Sequence, residues 1–468
     1  MAPFPYAEQY PVQRHFPEHR RSHDDLLAEV RAMAGLEDAP YHEGRISGSI
    51  YSGDEEHYAF LNEVFGLYSH ANVLQRDMYP SATKFEGELI AMTADLMHAD
   101  AVAEQSVCGV LTSGGTESLM NPLLVYREWG RARGITRANV VMPVTAHPAF
   151  DKGAHYFGIE LRKAPVTDQY VVDVDAAAAM VDSNTVALVG SAGTYPHGLV
   201  DGIAQLSELA VEHGINLHVD GCLGGFVLAW AESVGVDVPV FDFRLSGVTS
   251  ISADTHKYGF GLKGSSVLLY RSPELRRLQY FTVADWPGGL YASPGMSGSR
   301  SGGIIAAAWA SLVTLGREGF RAIAADIFST AASLRATIES HPELRVLGDP
   351  RFNVAFSHAE GSGIDIYHVN DHLAEKGWRL NGLQFPPAVH FCVTRPNTSP
   401  GVVDRFAADL ADAVEHARRE AAAGTAPRSG ALYGGGGSEI PRDQVLAGMS
   451  GYLDLTQALP PLSSRSDS

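Results

Sequence analysis

Ser250-Ile251-Ser252-Ala253-Asp254-Thr255-His256-Lys257-Tyr258-Gly259 says more about this chain than any other stretch of its length. An apolar run ends at Ala253, and a lysine flanked by His256, Thr255 and small residues follows within four positions. A lysine withdrawn from water in this way has a lowered pKa, and its free amine forms imines with carbonyl compounds. Taken alone, Lys257 is better described as a surface lysine.

Two further segments favour the chemical reading. In Leu217-His218-Val219-Asp220-Gly221 an aspartate closes an apolar strand. By itself it reads as a turn or helix cap, but such a carboxylate can also pair with a protonated pyridine nitrogen. His218 and Asp220 could start a metal site, yet no third or fourth ligand stands at suitable spacing. Thr112-Ser113-Gly114-Gly115-Thr116-Glu117-Ser118 follows a strand and opens a helix that runs through Leu123 to Arg133. Glycines and hydroxyls at a helix N-terminus either cap it or present free N–H groups to a phosphate dianion. Pro122 is expected near the first turn of that helix, where its missing donor is tolerated. An imine-forming amine, a carboxylate for a ring nitrogen and a phosphate cradle are together what pyridoxal 5′-phosphate (PLP) requires, with Lys257 as the Schiff-base lysine.

Other cofactors fit less well. Gly259-Phe260-Gly261-Leu262-Lys263-Gly264 matches the dinucleotide GxGxxG pattern, but a strand-like segment, Ser266 to Tyr270, follows it instead of a helix. No GxxxxGK[ST] loop occurs.

The 468 residues, 45% hydrophobic and 19% charged, make an ordinary globular enzyme of two or three domains. A net charge of −19 argues against nucleic acid as a partner. Cys108, Cys222 and Cys392 lack paired spacing and suit a reducing cytoplasm. No signal-like or membrane-spanning apolar run is present, so a soluble, cytoplasmic protein is expected.

Residues 1–70 read as an N-terminal arm of the kind that serves a dimer, with a helix around Asp24 to Gly35. A large PLP-binding domain is expected over 71–325. Its opening helix, Phe85 to Ala99, would lie behind a cap at Ser81 or Thr83. Strand–helix alternation from Val107 to Tyr270 predicts a mostly parallel, helix-covered sheet, the α/β class. An Ala-rich helix, Gly302 to Ser340, broken near Gly316 and Gly319, leads into a smaller α+β C-terminal domain over 326–425. That domain would contain strands at Leu344 to Leu347, Asn353 to Phe356 and Ala388 to Val393, and a helix at Val402 to Ala423. Residues 426–468 are expected to form a C-terminal segment and tail, with a Gly-rich linker at Gly434 to Gly437 and a disordered end, PLSSRSDS (461–468).

TSGGTES, HVDGCLGG and SISADTHKYG, in this order, resemble the PLP-dependent group II decarboxylase family of the fold-type I (aspartate aminotransferase-like) enzymes. Within it the chain is most similar to the sphingosine-1-phosphate lyases, through SGSIYSGDEE (47–56), TAHPAFDKGAHYFG (145–158), YPHGLVDGI (195–203), WPGGLYASPGMSGSR (286–300) and LNGLQFPPAVHFCVT (380–394). The resemblance implies that Lys257 binds the cofactor, Asp220 its pyridine nitrogen and His147 its ring face. Gly114, Gly115, Thr116 and His256 would hold its phosphate, joined by Ser299 of a neighbouring subunit in a homodimer with shared active sites. Tyr51 and Asn72 would reach into the partner's site, Lys263 and Tyr195 would stand near the substrate phosphate and reacting carbon, and Tyr433 would cover the site. One departure is Gln75, where the lyases carry a titratable histidine. The implied reaction is retro-aldol cleavage of a phosphorylated long-chain base to a fatty aldehyde and phosphoethanolamine. Decarboxylation of an amino acid is the alternative.

Overall fold

The computed structural model describes residues 4–103, 106–428 and 442–460. At its centre is a seven-stranded sheet built from β1 (Cys108–Thr112), β2 (Asn139–Pro143), β3 (Glu160–Ala164), β4 (Thr185–Ser191), β5 (Asn216–Asp220), β6 (Ser250–Ala253) and β7 (Ser266–Tyr270), in the order β1-β7-β6-β5-β4-β2-β3. β3, β2, β4, β5 and β6 pair in parallel, while β7 is antiparallel to both β6 and β1. The central strands NVVMP, TVALVGS and NLHVD are buried throughout, as expected for parallel strands covered on both faces. This is the mostly parallel, helix-covered α/β architecture that the strand–helix alternation predicts, and it agrees with the fold type I that the resemblance implies.

The inversion of β7 shapes the site. Because Ala253 pairs with Val267, β6 and β7 form a hairpin-like unit, and the excursion between them carries Asp254, His256, Lys257 and Lys263. The GxGxxG-like run lies on this excursion and leads into a strand, so it lacks the helix a dinucleotide site needs.

The helix Gly302–Glu339 links the large sheet to a second, antiparallel sheet. It breaks once, at Gly316, whose φ of 54° favours glycine. Gly319 continues the helix, so only one of the two expected interruptions forms. After the exposed hairpin of β8 (Phe281–Trp286) and β9 (Gly289–Ser293), the second sheet comprises β10 (Leu344–Val346), β11 (Asn353–His358), β12 (Asn381–Leu383) and β13 (Ala388–Cys392) in the order β10-β11-β13-β12. Helices Ile366–Glu375 and Val402–Ala423 accompany it, and Trp378, Phe391 and Phe406 pack edge to face in its core, with Phe406 5.2 Å from Trp378 and 5.3 Å from Phe391. Each such buried ring contributes about 2–3 kcal/mol.

Several local expectations differ from the structure. The helix Pro80–Leu96 starts at Pro80 after Tyr79, with no side-chain cap from Ser81 or Thr83, because proline itself is well suited to a first helical position. Pro122 lies well inside the helix Gly115–Arg131, beyond the first turn, so one internal hydrogen bond is forgone there. The C-terminal segment contains the helix Arg442–Thr456, with Leu446, Met449, Tyr452 and Leu453 exposed. The Gly434–Gly437 run, Tyr433 and the last eight residues lie outside the described residues. Among the described residues no helix is long and apolar enough to cross a membrane.

Candidate active site

A cavity of about 300 Å³ opens where β1 and β6 end. It is lined by Ser113, Gly114, Gly115, Thr116 and Glu117 at the start of one helix, and by His147, Cys222, Asp254, His256 and Lys257 from three other loops. Switch-point crevices at the carboxyl ends of strands are where α/β sheets bind ligands.

Its electrostatic centre is Asp254, which is 1% exposed. Lys257 Nζ lies 2.9 Å from Asp254 Oδ2, and His256 Nε2 lies 3.6 Å from the same oxygen. Burial opposes the charge on Asp254, but the Lys257 ammonium and His256 hold its carboxyl below the usual range. Burial likewise opposes the charge on Lys257, yet the Asp254 carboxylate outweighs it, so the Lys257 pKa is raised. This corrects the expectation of a lysine with a lowered pKa, which neglected a counter-ion three residues away.

His147 is half-buried, with Nδ1 accepting from the N–H of Ala149 at 3.1 Å, and burial lowers its pKa against the pull of Asp220. Asp220 stands one step back from the cavity. Its Oδ1 accepts from the N–H of Cys222 at 3.0 Å, and Cys222 is the residue that reaches the cavity wall. Tyr195 meets His147 edge on, with ring centroids 6.4 Å apart.

The glycine cradle fits a bound phosphate-bearing cofactor. Gly114 has φ of 147°, and a Cβ added at Gly115 would sit 2.8 Å from Asp254 Oδ2, so any side chain there would fill the space beside Lys257. Neither oxygen of Asp254 has a well-directed hydrogen bond among the described residues, despite the ion pair to Lys257. A buried carboxylate in that state has capacity left for a ligand. The residues present therefore suit PLP.

Lys263 donates to the carbonyl of His256 at 3.3 Å and lies 4.7 Å from the centre of the Tyr51 ring. Burial and the neighbouring Lys257 charge pull its pKa down to about 8. Tyr51 is buried, stacks edge on with Tyr258 at 5.0 Å, and feels the charge of Lys257. In this chain it therefore stands beside Lys263 and Tyr258, while the sequence resemblance implies that it reaches into a partner's site. The backbone holds it there, since the Tyr51 carbonyl accepts from the N–H of Arg395 beside the second sheet of the same chain.

Asn72, Gln75 and Ser299 form a separate rim. Asn72 Nδ2 donates to Ser299 Oγ at 3.0 Å, and Asn72 Oδ1 accepts from the N–H groups of Leu74 and Arg300. Ser299 borders a cavity of about 180 Å³ together with Ser113 and Ser265 of its own chain. Gln75 is exposed, away from the Lys257 cavity.

Sequence reasoning missed Asp254, Cys222 and Glu117. Glu117 is buried, accepts from the N–H and hydroxyl of Ser113 at 2.8 and 2.7 Å, and accepts from the N–H of Met296 at 3.0 Å, tying the cradle to the segment that carries Ser299. Asp254 was detectable: an acid at the end of a buried strand requires a counter-charge, and Lys257 is the nearest cation in sequence. Nothing in the sequence pointed to Glu117 beyond a first-turn acid.

The chain matches the pyridoxal-dependent decarboxylase conserved domain over residues 9–358. It is 39% identical over 435 residues to a sphingosine-1-phosphate lyase of Dictyostelium discoideum, covering 92% of this chain and 80% of that protein. It is 40% identical over 441 residues to sphingosine-1-phosphate lyase 1 of Rattus norvegicus, covering 94% and 76%. A sphingosine-1-phosphate lyase structure from Burkholderia pseudomallei is 50% identical, with a TM-score of 0.91 over 98% of this chain and 100% of that one. A glutamate decarboxylase from Lactobacillus brevis, 20% identical with a TM-score of 0.74 over 88% and 96% of the two chains, shares the fold. The chain belongs to the sphingosine-1-phosphate lyase family and is a PLP-dependent lyase.

Proposed function

We propose that this enzyme cleaves a phosphorylated long-chain base by a retro-aldol reaction, releasing a fatty aldehyde and phosphoethanolamine. The observation that carries the reading is the Lys257–Asp254 pair, faced by His147 and the glycine cradle, in a chain so similar to proteins named as sphingosine-1-phosphate lyases. PLP, when bound, supplies a carbonyl that condenses with amines and a conjugated ring that draws electrons from the bond being broken.

The protein's residues divide the remaining work. Lys257 would hold the cofactor, His147 would cover its ring, Asp220 would pair with its pyridine nitrogen, and Gly114, Gly115, Thr116 and His256 would bind its phosphate. Tyr195 and Lys257 are the proton carriers, taking the proton of the hydroxyl next to the amine-bearing carbon and returning one to carbon after cleavage. Lys263 binds the substrate phosphate as a point charge.

The working form is a homodimer. Supporting it, Leu67, Leu74, Met78, Trp286, Leu290 and Met296 are all exposed in the single chain, and Asn72 and Ser299, joined on the rim, stand near Leu74 and Met296 in sequence. A second copy would bury this apolar surface and bring Asn72, Gln75 and Ser299 to a shared site. A cytoplasmic location agrees with three unpaired cysteines.

The test is product analysis by mass spectrometry after incubation with sphingosine-1-phosphate or its dihydro form, with Lys257→Ala as control. Aldehyde and phosphoethanolamine, both lost in the variant, support the reading. PLP-loaded protein that yields neither overturns it and redirects the search to amino-acid decarboxylation.

A further inference from the structure

A second layer of buried polar residues lies behind Tyr195, on the antiparallel sheet rather than the parallel one. Tyr195 sits on a tight loop closed by Thr194, whose N–H donates to the Leu199 carbonyl and whose carbonyl accepts from the N–H of Gly198, both at 2.8 Å. Gly198, with φ of 69°, approaches β11 so closely that a Cβ there would lie 2.5 Å from the Asn353 carbonyl oxygen. Asn353 Nδ2 donates to the Tyr195 carbonyl at 2.9 Å. His390, on the neighbouring strand β13, has Nδ1 3.1 Å from the Pro196 carbonyl, so its proton belongs on Nδ1 and is donated there. The His390 ring meets the Tyr195 ring edge on at 5.0 Å, and Tyr195 in turn meets His147.

Both residues are buried to within 1% of complete burial. Each also leaves a polar atom without a hydrogen bond among the described residues, Nε2 in His390 and Oδ1 in Asn353, as does Nδ1 of His197 on the same loop. Native proteins rarely carry such atoms, and a cluster of them against one loop calls for a reason other than packing. Apolar residues of similar size would satisfy the core alone.

We propose that His390 and Asn353 are positioning residues that fix Tyr195, and through its ring His147, over the reaction site. The proposal rests on the proposed role of Tyr195 as a proton carrier. It makes the antiparallel sheet part of the catalytic apparatus, because any movement of β11 and β13 moves Tyr195.

A double-mutant cycle tests it, combining His390→Phe with Tyr195→Phe in the PLP-loaded full chain. Two signals are followed: turnover, and the rate at which methoxyamine discharges the visible absorbance of the bound cofactor, which needs no substrate. His390→Phe is expected to lower kcat about tenfold or more, as small misplacements of reacting groups do, with PLP affinity and KM within about twofold. In the Tyr195→Phe background the same change is expected to cost much less on turnover, the remainder being what the retained ring still passes to His147. His390→Asn, which keeps a donor for the Pro196 carbonyl, is expected to recover most of kcat. Equal losses with and without the Tyr195 hydroxyl would overturn the proposal, as would wild-type kcat in His390→Phe. If His390→Phe fails to fold, Asn353→Leu enters the same cycle with the same criteria. Should wild-type protein release no aldehyde, the lyase reading fails, while the methoxyamine cycle still decides the positioning role.

Discussion

The Lys257 cavity and the Asn72 rim are built on opposite plans. In the cavity Asp254, Asp220, Cys222 and Glu117 are buried, and its polar groups are answered by others of the same chain: Lys257 by Asp254, Ser113 by Glu117, Asp220 by the Cys222 N–H. On the rim, Asn72 and Ser299 answer each other on exposed loops, and Gln75 faces solvent. A buried site has to be complete in one chain, since an unpaired charge there is too costly for folding to tolerate. A rim has no such constraint and can wait for a second copy. Substitutions should therefore have large effects in the cavity and small, dimer-dependent effects on the rim.

The largest effect is expected from Lys257→Ala. Turnover should fall by roughly 10⁴-fold or more, because the cofactor loses its covalent anchor and the reaction a proton carrier. The variant also strands Asp254 in the interior without its main counter-ion, and breaking a buried pair in this way costs about 3–5 kcal/mol. Calorimetry should show a lower Tm. The deficit should shrink toward acid pH, where the stranded carboxyl, its pKa now raised, takes up a proton and folding is favoured again. A variant with wild-type Tm and turnover would remove the basis of the comparison.

Asp254→Asn should come next. The Lys257 pKa is raised because the Asp254 carboxylate outweighs burial, so removing that charge should bring it down, measurable in the apoprotein as a lower pH at which Lys257 becomes reactive toward an amine-acylating reagent. Turnover should drop by roughly 100-fold. Gly115→Ala tests the cradle with a single methyl group, which would press within 2.8 Å of Asp254 Oδ2. PLP affinity should weaken about tenfold or more, while the apoprotein loses about 1–3 kcal/mol from overpacking. Equilibrium titration of apoprotein with PLP separates the two.

The same contrast explains what was legible in the sequence. The parallel sheet, the helix Val402–Ala423 and the cluster around Lys257 are specified by local patterns, either runs of buried apolar residues or short motifs opening a helix. The antiparallel placement of β7 was not legible, because SVLLY reads the same in either direction and only its pairing with both β1 and β6 decides. Glu117 escaped notice because its partner Met296 is distant in sequence. The contact of Tyr51 with Lys263 of its own chain was not legible, because motif similarity carries residue types but not their neighbours in space. The hairpin Phe281–Trp286 and Gly289–Ser293 was not read from the sequence, since its outward side chains follow no core-facing alternation.

A smaller effect is expected from pH acting on Lys263. Its pKa of about 8 lies below that of an ordinary lysine because of burial and the Lys257 charge, so it is cationic below pH 8 and neutral above. If it binds the substrate phosphate, KM should rise as pH passes upward through 8, by about tenfold per unit once the cation is the minor form. Lys263→Arg, which remains charged, should flatten that rise at some cost in fit. A KM equally steep in the Arg variant would assign the titration to the substrate or to another residue.

The smallest effect, and the sharpest probe of the rim, is expected from Gln75→His. Gln75 is exposed, and its backbone, with N–H donating to the Asn72 carbonyl and carbonyl accepting from the N–H of Tyr79, belongs to a turn that histidine can also adopt. Tm should therefore change by no more than about 0.5 kcal/mol of stability. Turnover at pH 8 should stay within about threefold of wild type, since glutamine and neutral histidine can both donate and accept a hydrogen bond. Below about pH 6.5 the two should part, because histidine then carries a charge and glutamine does not. That divergence should appear only at protein concentrations where the dimer forms, if the rim serves the partner's site. Divergence of the same size in dilute monomer would instead bring Gln75 into its own chain's site and erase the distinction between cavity and rim.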